Sequence, residues 1–190
     1  MPVQRNKLFH AIIFFNEKTR ACHKLKLFKL LYFLDFEIFR QTGRAATGLQ
    51  YFAWPKGPVP RELNDEFKSA NQKPDLKATL SVHAAPSDEP DTDGPLQIAP
   101  KVKFNAEHFT KRELREMDRL AEIFCYTLSK DMTLASHAVG LPWRRIYEIE
   151  KMPQALIPYE LALDGKPGSV TAEQAKEIEE EARAVALLQG

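Results

Sequence analysis

Residues 24–40, KLKLFKLLYFLDFEIFR, limit what this chain can fold into more than any other stretch. Wound as a helix, the segment places Lys26, Lys29, Glu37 and Arg40 about a turn apart on one narrow polar stripe. The rest of its circumference is covered by Leu25, Leu27, Phe28, Leu30, Leu31, Tyr32, Phe33, Leu34, Phe36, Ile38 and Phe39. A helix apolar on nearly every side belongs in the middle of a domain, with other elements packed around it. A buried strand seldom runs so long, and Gly43 supplies a left-handed stop soon after. The expected fold is therefore α+β but mainly α: a compact helical domain around this central helix, with a small antiparallel sheet.

The chain of 190 residues is 44% apolar, enough for one ordinary core. It reads as one domain over residues 1–165 followed by an amphipathic C-terminal helix over 166–190. The formal charge of +1 hides an uneven distribution. Residues 1–60 carry ten Lys and Arg against three acids, residues 61–100 four against eight, and residues 152–190 three against seven. A dipolar surface of this kind suits protein partners better than a polyanion. The two cysteines, Cys22 and Cys125, form no CxxC pair, so neither a disulfide framework nor a zinc knuckle is indicated, and the expected setting is the reducing cytoplasm. Residues 8–15, LFHAIIFF, contain His10 and lead into Asn16-Glu17-Lys18 without a small-residue cleavage site. Charges at Lys29, Asp35 and Glu37 interrupt the longest apolar run, which argues against a membrane span.

In chain order, Leu8, Ile12 and Phe15 predict a first helix beside the central one. Residues 47–54, rich in aromatics, predict a strand that stops at Pro55; residues 56–60 read as a rigid turn, and residues 61–67 as a short helix with Leu63 and Phe67 inward. Residues 78–83 and 96–104 alternate as two strands that pair with each other and with residues 49–54 in one small sheet. Between them, residues 84–95 form a proline-rich acidic stretch expected to be mobile. Thr110 and Glu113 make a capping box for a helix whose inward face is Leu114, Met117, Leu120, Ala121, Phe124 and Leu128. A shorter helix is expected at 132–139, ending at Gly140, and another turn from Pro142 carries Trp143 and Ile146. Thr171 and Gln174 cap a last helix with Ile178, Ala182, Val185 and Leu188 on one side and a row of glutamates on the other.

Catalytic spacings are missing. Cys22-His23 are adjacent and would point about 100° apart on a helix, and His137 between Ser136 and Ala138 suits a capping role. An enzyme using Cys22 or His137 is an alternative without a supporting motif. A metal site assembled from Cys22, His23, Cys125 and His137 would lack the short ligand spacings that mark such sites. Neither cofactor nor metal is expected, and Trp54-Pro55-Lys56-Gly57-Pro58 is a turn, not a phosphate-binding loop. Residues 132–150 could form a helix-turn-helix with Gly140 in the turn and Arg144 and Arg145 facing DNA, but the near-neutral balance of charge disfavours nucleic acid.

Several separated strings together resemble one family. They are Lys26 to Phe33 (KLFKLLYF), Thr42-Gly43, Tyr51-Phe52-Ala53-Trp54 leading into Gly57-Pro58-Val59, and Ser136-His137 with Trp143. In order and separation, over residues 8–159, they resemble the Panacea domain of SocA-like antitoxins. The resemblance implies a largely helical, non-enzymatic antitoxin of a type II toxin-antitoxin system in bacteria or phages. Its implied partner is a cognate protein toxin, neutralised by direct complex formation, either by covering the toxin's active surface or by presenting it to a cellular protease, the second partner that this alternative would involve. It also implies that Leu30, Tyr32, Trp54, Gly57, Pro58, His137 and Trp143 are scaffold. Exposed cations near the turn, Lys26, Lys29, Lys56 and Arg61, are the expected partner contacts. In this chain proline follows the tryptophan directly, at Trp54-Pro55, which alters the strand-to-turn geometry expected of the motif.

Overall fold

A computed structural model describes residues 3–84 and 96–189. Helix α1 (Arg5–Lys18) and helix α2 (Lys24–Thr42) are followed by strands β1 (Tyr51–Trp54) and β2 (Gly57–Pro60) and by the short helices α3 (Arg61–Glu66) and α4 (Pro74–Thr79). Strands β3 (Leu80–Ala84) and β4 (Leu96–Pro100) precede α5 (Lys111–Phe124), α6 (Ser129–Ser136), α7 (Pro142–Arg144) and α8 (Ala172–Gln189). α7 continues into a single π turn over Arg145–Ile149. The fold is mainly α with two small antiparallel sheets, as the sequence predicts.

α2 is the core. Leu27, Leu30, Leu31 and Leu34 have no exposed surface, and the helix ends where Gly43, at φ 71°, turns left-handed while its N–H closes on the Phe39 carbonyl. α1 lies alongside, burying Leu8, Ile12 and Phe15, and α5 lies on another side through Met117, Leu120 and Ala121. The capping box is formed: Thr110 N–H donates to the Glu113 carboxylate at 2.7 Å, and Glu113 N–H donates back to Thr110 Oγ1 at 3.3 Å. Lys7 reaches the same carboxylate at 2.8 Å, so the cap also ties α5 to α1. Thr110→Ala should therefore lower stability by about 1 kcal/mol in denaturant unfolding.

Four expectations need correction. Residues 56–60 are not only a turn: the reversal is confined to Pro55 and Lys56, and Gly57–Pro60 pairs with Tyr51–Trp54 as β2. The hairpins β1–β2 and β3–β4 are separate sheets, because their edges are occupied by other groups. Backbone around 154–157 returns along β1, with Gln154 N–H donating to the Ala53 carbonyl at 2.7 Å and Ile157 N–H to that of Tyr51 at 2.8 Å. Side-chain amides of Asn16 and Gln72 donate to the Ile98 and Val82 carbonyls of the second hairpin. α6 begins at Ser129, not 132, and Leu128, expected inward, stands exposed in the loop before it. On α8 only the first turns pack, with Ala175 buried at the end of α2, whereas Val185 and Leu188 are exposed. The acidic stretch expected to be mobile lies, from residue 85 to 95, outside the described residues.

Candidate functional site

The first loop of chemistry off α2 is a buried carboxylate. Asp35 is fully enclosed and accepts three hydrogen bonds: from Thr47 N–H at 2.6 Å, Thr47 Oγ1 at 2.5 Å and Tyr51 Oη at 2.8 Å. Burial pushes its pKa up to about 6 against the pull of those donors. Residues 43–50 have no regular structure, so this carboxylate is what organises the path from α2 into β1.

Six and nine residues earlier, α2 presents two lysines, Lys29 and Lys26, that the sequence reading placed in solvent as partner contacts. That placement is corrected: Lys26 and Lys29 are both 0% exposed. Lys26 Nζ donates to the carbonyls of Arg20 at 2.8 Å and Cys125 at 3.1 Å, which follow the C-terminal ends of α1 and α5, where a cation is favoured by the helix dipoles. Lys29 Nζ donates to the Pro58 carbonyl at 3.0 Å and so closes the outer edge of β2 onto α2. Among the described residues no carboxylate accompanies it, and burial drives its pKa down to about 7.

Around Lys29 the scaffold residues predicted from the family resemblance come together. Gly57 sits at φ 104° with its backbone pressed against Lys29 and Ser136, so that a Cβ there would stand 2.7 Å from Lys29 Nζ and 2.8 Å from Ser136 Oγ. Trp143, 1% exposed, donates its ring N–H to the Trp54 carbonyl at 3.0 Å and its backbone N–H to Tyr32 Oη at 3.2 Å. The His137 and Trp143 rings stack with centroids 3.5 Å apart, and Trp143 stacks in turn on Tyr147 at 4.8 Å. His137 Nε2 is buried without a hydrogen-bond partner among the described residues; burial first, and then the neighbouring Lys29, hold its pKa below the usual value. Leu30 is buried on the same helix. Tyr32, Trp54, Gly57, Pro58, His137 and Trp143 are thus a single pinned junction of α2, the first hairpin and the end of α6.

Of the other expected residues, Lys56 is exposed at the hairpin tip and Arg61 is exposed at the start of α3, its guanidinium 5.5 Å from the Phe52 ring. Cys22 is buried next to Thr19 and Lys26 with its thiol pKa pushed up, well away in the chain from the His137–Trp143 stack. Among the described residues no three His, Cys, Asp or Glu side chains group closely enough to hold a metal ion. On the segment proposed as the second helix of a helix-turn-helix, α7 and its π turn give continuous helix over residues 142–149, and Arg144 and Arg145 are engaged there by Glu148 and Glu150 at 2.9 and 2.7 Å. No helix among the described residues is long and apolar enough to cross a membrane.

Directly over the pinned junction lies a surface that sequence reasoning missed. Two adjoining grooves share Val139, Gly140, Leu141, Pro142 and Leu161; Ile149 lines one and Ile123 the other. Tyr126, Leu128 and Leu134 are exposed on the neighbouring loop and on α6. Of these, Leu128 alone was expected inward, and it stands instead in the loop between α5 and α6.

Comparison with family descriptions matches residues 27–144 to the family described as "Antitoxin SocA-like, Panacea domain". Comparison with curated proteins and with solved structures returned no match. The matched span starts on the central helix, ends one residue after Trp143, contains every scaffold residue of the junction and covers more than half the chain; the protein belongs to the SocA-like antitoxin family, with a Panacea domain.

Proposed function

We propose that this protein is a non-enzymatic antitoxin that neutralises a cognate protein toxin by binding it directly, through the face formed by residues 123–152. One observation carries the reading. Of the twelve large apolar side chains exposed among the described residues, seven fall within that short segment: Ile123, Tyr126, Leu128, Leu134, Val139, Ile149 and Met152. Monomeric proteins rarely gather exposed apolar groups in this way unless another molecule covers them. The floor beneath is rigid, pinned by Trp143, so such a face can bind without first being ordered, which favours affinity. Lys56 and Arg61 on the first hairpin are proposed as polar contacts at its edge, whereas Lys26 and Lys29 are withdrawn from that role by their burial. The proposed place of action is the cytoplasm, where two free cysteines stay reduced. Handing the bound toxin to a cellular protease would be a further step that the same complex allows.

The test is co-expression with the product of the adjoining reading frame when that product is toxic alone. The unaltered protein should restore growth. Val139→Asp and Ile149→Asp should each weaken the complex by about 2 kcal/mol or more while leaving the unfolding midpoint nearly unchanged. Val102→Asp, at an exposed apolar residue outside the face, should rescue fully. Full rescue by the first two variants would place the toxin elsewhere.

A further inference from the structure

Lys29 is built unlike an ordinary structural lysine. Its ammonium would carry three protons, yet among the described residues the one acceptor bonded to it is the Pro58 carbonyl, and the group is enclosed completely. The surroundings offer little to balance a charge. β2, which covers it, consists of Gly57, Pro58, Val59 and Pro60 and has no titratable side chain. The end of α6 contributes Ser136, whose hydroxyl donates away from it to the Thr133 carbonyl, and His137, another base. Glu148 of the π turn, whose charge acts on His137, is paired with Arg144. On α2 itself, Lys26 is bonded in the opposite direction, to Arg20 and Cys125. A neutral amine, with two protons and a lone pair, fits this enclosure, whereas a cation does not.

We propose that Lys29 is a proton-sensitive latch: as a neutral amine it locks the β1–β2 hairpin and the end of α6 onto α2, and on taking up a proton it releases them. The downward shift of its pKa to about 7 puts the change in the physiological range. α6, the turn that follows it and the π turn carry Leu134, Val139 and Ile149 in that order, so acidification loosens the apolar face; this functional meaning rests on the antitoxin reading, but the latch itself can be tested on the free protein.

The chain has two tryptophans, Trp54 and Trp143, bonded to each other inside the junction, so intrinsic fluorescence reports on it without a label. Titrating the purified protein from alkaline to mildly acidic pH should give a sigmoidal change with a midpoint close to neutrality. Lys29→Met should abolish that midpoint. His137→Asn should keep it, which separates the lysine from the histidine stacked on Trp143. Amide exchange should quicken below the midpoint in residues 51–60 and 129–147 but not in α1. A midpoint that survives Lys29→Met, one that vanishes in His137→Asn, or unchanged exchange would overturn the proposal. Should Lys29→Met fail to fold, side-chain carbon NMR of Lys29 in the unaltered protein decides: titration near 7 supports the latch, and titration at the ordinary lysine value of 10.5 overturns it.

Discussion

Gly57→Val should destabilise the protein by about 3 to 5 kcal/mol, seen as a large drop in denaturant midpoint. Two effects add. At φ 104° a β-branched residue is strained whatever the space, and its Cβ would meet Lys29 and Ser136 at 2.7 to 2.8 Å. A lysine tip on the surface would swing aside at little cost. Here the tip is enclosed and holds the Pro58 carbonyl, so moving it unpairs a buried acceptor as well. Gly140 provides the comparison. Its φ is also positive, at 85°, but nothing lies within 4 Å of a Cβ there, so Gly140→Ala should cost only the conformational part, about 1 kcal/mol. Similar losses at the two glycines would show that Gly57 does not serve as the contact point between hairpin and central helix.

Asp35→Ala should be comparably severe, about 3 to 5 kcal/mol, because it strands three buried donors at once: Thr47 N–H, Thr47 Oγ1 and Tyr51 Oη. Asp35→Asn, which keeps an acceptor oxygen, should cost less. The pair also gives a signed pH effect. The folded-state pKa of Asp35, about 6, is above its ordinary value of 3.8, so between those values the folded state binds more protons than the unfolded one. The stability of the unaltered protein relative to Asp35→Asn should therefore be greatest below about pH 4, fall as the pH rises to about 6, and then level off. Unfolding curves of both proteins across that range measure it directly; a gap that widened with pH would mean that the ionised carboxylate is the favoured form.

The central helix, its glycine stop, the capping box and the pairing of β3 with β4 were all legible in the sequence, because each depends on local spacing or on residues close in the chain. The junction was legible only through the family pattern. Nothing local says that Trp143 donates to the Trp54 carbonyl, or that Gly57 must be bare because Lys29 lies against it. The lysines show the limit most clearly. A helical wheel counts Lys26 and Lys29 as a polar stripe, but their acceptors, the carbonyls of Cys125 and Pro58, come from elements brought in by tertiary packing. Asp35 left a signal that could have been used: a lone acid between Leu34 and Phe36 on an otherwise apolar helix must find buried donors or be excluded from the core. The apolar face at 123–152 was hidden for the opposite reason. Its residues look like core, and only the ends of α5, α6 and α7 decide that they are not.

A binder acts in proportion to its amount, and that property tests the proposed mechanism most directly. With purified protein and purified toxin, and no protease present, inhibition of the toxin should be complete near an equimolar ratio, with the pair eluting together as one complex. Full neutralisation at a small fraction of the toxin concentration, with no detectable complex, would contradict it, because only turnover could produce that result.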